Sequence, residues 1–331
     1  MKKTVSIILT LFLLLCFVSC EENISPKSRE FYYYFDTMST IYDYTGMSEE
    51  RFSALCSDVE DKMLIYHKYF DIYNEYTGVV NLATINKTEG KIQVDRELFD
   101  FLKHAKKMYN LTRGEVNVAF GSVLSIWHDY REQGKSVPAY AELSVANLHT
   151  DIEKLALYED TLSVERLDTG LLLDAGALAK GYACEKIGEY VREKYGEGIV
   201  LDFGGNLKCV GAKPNGSGWK SGVRNPDPFA VDPYVHTFEI KNASAVTSGV
   251  YERYYVVDGV SYHHIIDKDT LFPKNDYLSV SIICPSAAMA DALSTAFFNM
   301  ESSEISEVLS GINEKITVII IHKNGEKEII E

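Results

Sequence analysis

Two spacings of apolar residues divide this chain into helical and strand-forming parts. Apolar residues three or four apart predict helices over 48–69, 95–109, 121–130, 139–148, 177–195 and 287–300. Short apolar or alternating runs predict strands within 31–46, three strands within 154–176, and single strands at 199–203, 207–211, 219–224, 236–241, 251–257, 277–285, 316–322 and 326–330. Asp258-Gly259 and Asn324-Gly325 are hairpin signals. Because hairpins join the strands and the helices are grouped, the pattern favours an α+β fold with antiparallel sheet over a doubly wound parallel sheet.

The first apolar run is a targeting segment. Lys2 and Lys3 precede an uncharged stretch over residues 5–18, which is too short to span a bilayer because a mature transmembrane helix needs about 20 residues. Ser19 and Cys20 end this stretch in a way that resembles the lipobox of bacterial lipoproteins, in which the cysteine is acylated. A plain secretory signal and an uncleaved anchor are the alternatives.

The lipobox resemblance implies three parts. Residues 1–19 are expected to be a lipoprotein signal peptide, residues 20–30 a polar tether, and residues 31–331 one folded domain. The mature protein is expected to be anchored to a cell membrane through lipidated Cys20, on the extracytoplasmic face, which is the periplasmic side if the cell has an outer membrane.

Composition argues against one class of partner and does not by itself indicate a function. The chain has 331 residues, 46% hydrophobic and 24% charged, which is ordinary for a globular protein. A formal charge of −15 argues against nucleic acid as a partner, because phosphate backbones attract basic surfaces. Beyond the signal region, the cysteines are scattered with no CxxC pair, so we predict that they are small buried hydrophobes: Cys56, Cys184, Cys209 and Cys284.

The predicted helix 287–300 carries the first candidate chemistry. Ser286 can cap its first turn, because a serine hydroxyl accepts hydrogen bonds from free backbone amides. Asp291 and Thr295 are four residues apart, so a carboxylate and a hydroxyl share one face. Two such hard oxygen donors would suit a magnesium ion near a phosphate. The alternative is a helix with two polar residues directed at solvent.

Two glycine-containing junctions could hold an anion. In the segment 171–184, a strand is predicted to lead through Asp174, Gly176 and Ala177 into a helix whose free amides favour negative charge. Lys180 would lie one turn in, within reach of a phosphate or of Asp174. In the segment 201–208, Gly204 and Gly205 interrupt a strand, which indicates either close contact with a ligand or a sharp bend. A tight turn with an exposed lysine is the alternative at the first junction.

Basic and polar residues follow in the later strands. Arg224, Ser248, Gly249, Tyr251 and Arg253 form a set suited to holding phosphate oxygens, although an arginine in a strand is more often a solvated charge.

His263 and His264 are adjacent in a predicted strand, so their side chains should point to opposite faces, one toward the site and the other toward solvent. His264 is the candidate acid or base, because imidazole titrates near neutrality. A structural histidine is the alternative.

Taken together, these segments resemble the ApbE family, the FAD:protein FMN transferases. The resemblance lies in residues 38–40 (MST), 70–86, 174–183 (DAGALAKGYA), 203–206 (FGGN), 247–254 (TSGVYERY), 264–270 (HIIDKDT) and 290–298 (ADALSTAFF). It implies a T-fold-like α+β architecture, with antiparallel sheets and packed helices, that binds FAD with magnesium at the pyrophosphate.

The family resemblance also assigns roles to residues. It implies that Asp291, Thr295 and the Ala177 carbonyl hold the metal, and that His264 is needed for transfer, with His264 or Asp267 taking the proton of the attacking hydroxyl. The remaining positions expected to contact the cofactor are Met38, Tyr76, Asp174, Lys180, Gly205, Ser248, Gly249 and Arg253. The chain departs from the family at Lys268 and Leu271, where the family usually has proline and glycine, which predicts a reshaped turn.

The implied reaction is magnesium-dependent transfer of FMN from FAD to a threonine or serine hydroxyl of an exported acceptor protein, with release of AMP. Two alternatives stay open. One is an FAD pyrophosphatase in which water is the acceptor, and the other is a flavin-binding lipoprotein without catalysis. The sequence does not identify the acceptor protein.

Overall fold

The computed structural model describes residues 26–34, 37–227 and 229–331. The predicted signal peptide and Cys20 lie outside the described residues. The helices are α1 (Glu49–Phe70), α2 (Leu82–Lys87), α3 (Arg96–Leu111), α4 (Gly121–Gln133), α5 (Tyr140–Asn147), α6 (Ala179–Tyr195), α7 (Ala287–Asn299) and α8 (Ser302–Ser310).

The strands begin with β1 (Lys27–Tyr34), β2 (Thr37–Asp43), β3 (Gly90–Gln93), β4 (Leu155–Tyr158), β5 (Ser163–Arg166), β6 (Ile199–Phe203), β7 (Asn206–Val210) and β8 (Trp219–Arg224). They continue with β9 (Tyr234–Ile240), β10 (Ser244–Gly249), β11 (Tyr254–Val257), β12 (Val260–His263), β13 (Tyr277–Cys284), β14 (Thr317–His322) and β15 (Lys327–Ile330).

An antiparallel sheet of eight strands is the centre of the fold, in the order β1-β2-β6-β7-β10-β13-β14-β15. Alternate residues of each strand point to opposite faces, and both faces are covered. In β6, Ile199 and Leu201 belong to the main core on the helical face, whereas Val200 packs with Trp219 on the other. The prediction of an α+β fold with antiparallel sheet is confirmed.

Helices α1, α6 and α7 cover one face of this sheet. Small residues let α6 and α7 approach closely: a Cβ atom on Gly181 would lie 2.3 Å from the Cβ atom of Asp291 and 2.5 Å from the Ala287 carbonyl oxygen. The hairpin β8–β9 covers the other face. The close α6–α7 contact fixes the distance between two segments that carry candidate site residues.

A smaller cluster lies beside the sheet. It contains α4, α5 and the hairpin β11–β12, which pack around Trp127 together with Phe120, Leu143 and Tyr255. The three-stranded sheet β3-β5-β4 is a further peripheral element.

Several predicted elements need correction. Residues 171–174 form no strand, because their backbone groups bond to single side chains, such as Leu173 to the Asn86 amide, and to the backbone of Val118 and Gly121. Strand β10, strand β3 and helix α8 were not predicted. The tether prediction is wrong over residues 27–30, which pair with β2. The four described cysteines are free and buried, as predicted.

No helix within the described ranges is long and apolar enough to cross a membrane.

Candidate active site

A cleft of about 910 Å³ opens at one end of the central sheet. Thr37 at the start of β2, the β6–β7 turn and the end of β10 line it from the sheet. The start of α6 and the middle of α7 line it from the helical layer. Because neighbouring antiparallel strands alternate in direction, the β6–β7 turn and the end of β10 come together at this edge. The volume suits a cofactor-sized ligand.

Asp291 lies on the helical wall of the cleft and is only 3% exposed. The backbone amide of Gly181 donates to its Oδ2 at 2.7 Å, and the Lys180 ammonium lies 4.0 Å from its Oδ1. Burial raises the pKa of this carboxyl, while the Lys180 charge and the hydrogen bonds from Gly181 and Asn206 oppose that rise. The predicted alternative, an exposed polar residue on a helix face, is wrong for Asp291.

Thr295 lies one turn after Asp291 and also lines the cleft. Its Oγ1 is 3.5 Å from Ser248 Oγ, which has a shorter contact of 2.9 Å with Ser294 Oγ. Ser286 caps α7 by accepting from the Met289 amide, as predicted, and both Asp291 and Thr295 line the cleft. A carboxylate and a hydroxyl thus share the cleft-facing side of one rigid helix.

Ala177 lines the cleft two residues before α6 begins. With Asp291 and Thr295 it offers a carboxylate, a hydroxyl and a carbonyl, all hard oxygen donors. Magnesium is usually held by one or two carboxylates and completes its shell with water and substrate phosphate, so this donor set fits magnesium. Within the described ranges, no group of three or more His, Cys, Asp or Glu side chains is arranged to hold a metal ion.

Lys180 and Asp174 both line the cleft, but Lys180 pairs with Asp291 and not with Asp174, one of the two partners expected to be within its reach. Lys180 turns toward Asp291, because α7 lies directly against the start of α6. Asp174 Oδ1 accepts from the Gly176 amide at 2.7 Å, and its Oδ2 is 3.8 Å from His128 Nε2. Lys180 therefore pairs with the helical wall through Asp291, and Asp174 accepts a hydrogen bond within the turn that precedes α6.

The Gly204-Gly205 pair forms the turn between β6 and β7. Both glycines have positive φ, +60° and +85°, and a Cβ atom on Gly204 would lie 2.0 Å from Thr37 Oγ1. The Gly205 amide donates to Asp202 Oδ1 at 2.9 Å. The sharp bend predicted here is observed, and the bend also brings the Gly205 backbone to the cleft.

His264 and His263 do lie on different sides of the chain. His264 lines the cleft, and its Nδ1 is 3.2 Å from the Arg253 carbonyl oxygen, so Nδ1 carries the proton and Nε2 is the acceptor nitrogen. Burial, followed by the charges of Arg253 and Lys180, lowers the pKa of His264 to about 3. The prediction that the other histidine faces solvent is wrong: His263 is 2% exposed and packs against Phe298.

Asp267 is not among the residues that line the cleft. Its Oδ1 accepts from the backbone amides of Thr270 at 2.6 Å and Asp269 at 3.1 Å, so this buried carboxylate caps the turn that follows His264. The predicted role of Asp267 as a proton acceptor is therefore not supported by its position. Met38 is not among the residues that line the cleft either: its side chain is 47% exposed, and neighbouring Thr37 lines the cleft.

The other predicted contact residues do line the cleft. They are Tyr76, Ser248, Gly249, Arg253, Arg224 and Tyr251. The Tyr76 hydroxyl donates to Asp71 Oδ2 at 2.7 Å, and the Arg224 guanidinium carbon is 5.8 Å from the centre of the Tyr251 ring.

With this geometry in hand, comparison with known proteins identifies the family. A model of the ApbE family matches residues 38–320, most of the chain. The chain belongs to the ApbE family. The FAD:protein FMN transferase of Klebsiella pneumoniae is 29% identical over 262 residues, which cover 78% of this chain and 80% of that protein. The enzyme of the same name from Treponema pallidum is 33% identical over 233 residues, 66% of this chain and 64% of its own length.

Solved structures agree. The crystal structure of the ApbE protein from Thermotoga maritima has a TM-score of 0.82 at 26% identity and covers 93% of this chain and 97% of its own. The flavin transferase ApbE of Vibrio cholerae, at 21% identity and a TM-score of 0.74, covers 92% of this chain and 97% of its own and has the same fold.

The turn at 267–272 contains Lys268 and Leu271, the two positions for which the resemblance predicts a reshaped turn. Leu271 keeps a φ of +61°, the left-handed conformation that glycine adopts without strain. Trp127 Nε1 donates to the Leu271 carbonyl oxygen at 3.0 Å and holds it there. Lys268 forms an ion pair with Glu115 at 3.2 Å. Contacts from two distant segments, at Trp127 and Glu115, thus hold this turn.

The sequence did not predict several polar residues that line the cleft. One of them is His128, whose Nδ1 is 2.9 Å from the Tyr73 hydroxyl and whose Nε2 is 3.8 Å from Asp174 Oδ2. Tyr73 and Asp174 lie 55 and 46 residues away in the chain, so local spacing could not predict these contacts. Burial lowers the pKa of His128, against the charge of Asp174. Asn206 belongs to the FGGN segment, but that segment alone does not predict which group its side chain contacts.

Proposed function

We propose that this protein transfers FMN from FAD to a threonine or serine hydroxyl of an exported acceptor protein, with magnesium, and releases AMP. The observation that carries the proposal is that one cleft holds both the oxygen donors of α7 and the half-buried imidazole of His264. Its relatives are named FAD:protein FMN transferases, which supports flavin transfer as the reaction class.

Asp291, Thr295 and the Ala177 carbonyl would hold the magnesium ion. The bound ion supplies neutralisation of the negative charge on the pyrophosphate and on the departing AMP. Lys180 and Arg253 would bind and orient the phosphate oxygens. The amides of Ala179, Gly181 and Tyr182, expected to be free for an anion, are bonded within the protein. Lys180 and Arg253 thereby supply positive charge to a cleft whose lining also contains carboxylates.

His264 would take the proton of the attacking hydroxyl on Nε2. The hydroxyl oxygen forms a bond to the FMN phosphorus while the bond from that phosphorus to the AMP oxygen breaks. Burial, followed by the charges of Arg253 and Lys180, holds the pKa of His264 low, and a bound pyrophosphate would offset those two charges and oppose part of that lowering. The Nδ1 hydrogen bond to Arg253 keeps the ring oriented throughout.

We also propose that the enzyme works outside the cytoplasm, on the extracytoplasmic face of a cell membrane to which lipidated Cys20 attaches it. The n-region at Lys2 and Lys3 and the lipobox-like ending at Ser19 and Cys20 support this location. Radiolabelled palmitate incorporation that is lost in Cys20→Ala tests the anchor.

One experiment tests the reaction. Purified protein is mixed with FAD, magnesium and a candidate acceptor that bears a threonine, and the products are identified by mass spectrometry. An acceptor heavier by FMN, with AMP in equal amount, is expected, and EDTA should prevent both. Free FMN with AMP would indicate a pyrophosphatase instead, and unchanged FAD across a panel of acceptors would indicate a binding protein.

A further inference from the structure

The hairpin β11–β12 leads into the cleft at the candidate proton acceptor. Its turn is Asp258-Gly259, and both of these residues have positive φ, 49° and 79°. At the opposite end of the hairpin, the backbone amide of His264 donates to the Arg253 carbonyl oxygen at 3.0 Å, and both residues line the cleft. The hairpin is therefore continuous with the place where an acceptor hydroxyl would have to arrive.

One edge of this hairpin is open. Hydrogen-bonded and non-hydrogen-bonded pairs alternate along antiparallel strands. Because Arg253 is hydrogen-bonded across the hairpin, Tyr254 and Val256 direct their backbone N–H and C=O groups away from β12. Both residues are 52% exposed, and in the part of the chain that the structure describes no third strand pairs with β11. Strand β11 therefore presents a row of backbone donors and acceptors beside the cleft.

The rest of the hairpin is held in place. The Tyr255 ring packs against Trp127 with the ring centres 6.5 Å apart, and both belong to the cluster around α4. On β12, His263 lies opposite Tyr254 and is 2% exposed, so that edge is covered near the cleft. The open edge is thus on β11 alone at this end, and it is carried by a packed element.

Strand β11 also lacks the residues that usually protect an edge strand from pairing. The edge strands of the central sheet carry charges, at Lys27 and Arg29 in β1 and at Lys327 and Glu328 in β15. Strand β11 has the sequence YYVV, with no charged residue and no proline. An unprotected edge is either a hazard for aggregation or a binding site for an extended peptide, and its continuity with the cleft favours binding.

We infer that β11 is the docking edge for the acceptor protein. An extended segment of the acceptor pairs with the backbone groups of Tyr254 and Val256 as the third strand of the hairpin. Its hydroxyl-bearing residue lies one or two residues further along, about 3–7 Å beyond the paired part, in the cleft beside His264. The occupant is a polypeptide because only another strand matches the spacing of this row of donors and acceptors. The inference rests on the proposed function, which requires such an acceptor.

A pooled library of synthetic peptides of about ten residues, each with a central threonine and random flanks, tests the inference. The whole protein is mixed with the library, FAD and magnesium, and peptides that carry FMN are identified by mass spectrometry. We expect a subset to be modified. The same sequences are then N-methylated at one or the other set of alternate flanking residues. Because a strand pairs along one edge through alternate residues, one set should prevent modification at limiting peptide and the other should not.

Val256→Pro tests the protein side of the contact. It removes an outward N–H and places a ring at the edge, while the inward hydrogen bonds of the hairpin remain. The kcat/KM for a modified peptide should fall at least about 10-fold, with kcat at saturating peptide and FAD affinity unchanged. Ser261→Pro is the matched control and should leave kcat/KM unchanged, because Ser261 is the exposed residue opposite Val256 on the other edge. Val256→Thr keeps the backbone donor and should also remain active.

The possible failures are distinguishable. If a candidate acceptor protein is modified and no peptide is, docking through an extended segment is wrong and the transfer reaction stands. If Val256→Pro and Ser261→Pro have the same kcat/KM, the segment docks elsewhere and β11 is not its edge. If Val256→Pro does not fold, equal effects of the two N-methylated sets would overturn the inference. Unchanged FAD, or free FMN with no modified peptide or protein, would refute the proposed transfer, and the inference would fail with it.

Discussion

The two walls of the cleft are built on different principles. The helical wall presents Asp291 and Thr295 from one continuous helix, α7, whose close contact with α6 is set by Gly181. The wall that carries His264 is irregular chain between β12 and β13, held by contacts from remote segments. The helical wall places oxygen donors with a spacing fixed by helix geometry, whereas the orientation of His264 depends on a backbone carbonyl and on the turn that follows.

This difference suggests a division of labour. A metal ligand set needs fixed distances, which a packed helix provides. A proton acceptor must have the correct tautomer and pKa, and these depend on the charges and hydrogen bonds that surround it. Substitutions on the helical wall should therefore affect metal-dependent binding and rate together, and substitutions near His264 should affect mainly the chemical step.

The largest expected effect is at Asp291. Asp291→Ala should reduce magnesium-dependent flavinylation by roughly 10³-fold, because the only carboxylate among the proposed ligands is lost. The acceptor's mass shift, measured at a fixed time, reports the rate, and circular dichroism should show an unchanged fold. Full activity in this variant would refute the metal assignment. Ser294→Ala, on the same helix, is a control expected to remain active.

His264→Gln should lower the rate of transfer by about 10²-fold or more while FAD still binds, because only the proton acceptor is lost. FAD affinity from flavin fluorescence and single-turnover transfer separate binding from chemistry. An equal loss of FAD binding and rate would mean that His264 acts as a binding group.

The pH dependence sharpens this prediction. Because the pKa of free His264 is lowered to about 3, the imidazole stays neutral between pH 8 and pH 5, so kcat/KM should have no acid limb near pH 6.5 due to this residue. The base form is lost only when the pH approaches the lowered pKa. The prediction would be wrong if kcat/KM of the wild-type protein fell near pH 6.5 and the residual activity of His264→Gln did not. The His264 imidazole would then be gaining a proton near pH 6.5.

The two walls also differ in how far the sequence predicts them. Helix α7, its Ser286 cap and the shared face of Asp291 and Thr295 follow from local spacing, and the structure has all three. The roles of Asp267 and His263 could not be predicted locally: the Asp267 carboxylate binds backbone amides of its own turn, and His263 is buried against Phe298, 35 residues away. Residue type and order identify candidate groups, but long-range packing decides which of them face the ligand.

Gly181→Ala should break the spacing of the helical wall. Its Cβ atom would meet Asp291 Cβ at 2.3 Å and the Ala287 carbonyl oxygen at 2.5 Å, so α6 and α7 would have to separate. We expect a loss of about 1–3 kcal/mol in the free energy of unfolding, measured with urea. We also expect the magnesium concentration needed for half-maximal rate to rise.

Gly188→Ala, on the same helix, is the matched control. There the nearest atom is Lys208 Cγ at 3.0 Å, in a side chain that can shift more easily than backbone. A Gly181→Ala protein as stable and active as Gly188→Ala would show that the tight α6–α7 contact does not set the position of Asp291.

The smallest expected effect is at Asp267, and it separates a structural carboxylate from a catalytic one. Asp267→Asn keeps an oxygen that can accept from the Thr270 and Asp269 amides but removes the base, so the transfer rate should stay within about threefold of wild type. Asp267→Ala removes the cap and should cost about 1–2 kcal/mol of stability, because the Asp269 and Thr270 amides lose their acceptor. Transfer rate and urea unfolding measured for both variants test this. A fall of 10² or more in the rate of Asp267→Asn at unchanged stability would move the proton acceptor from His264 to Asp267, and the irregular wall would then contain two reacting groups instead of one.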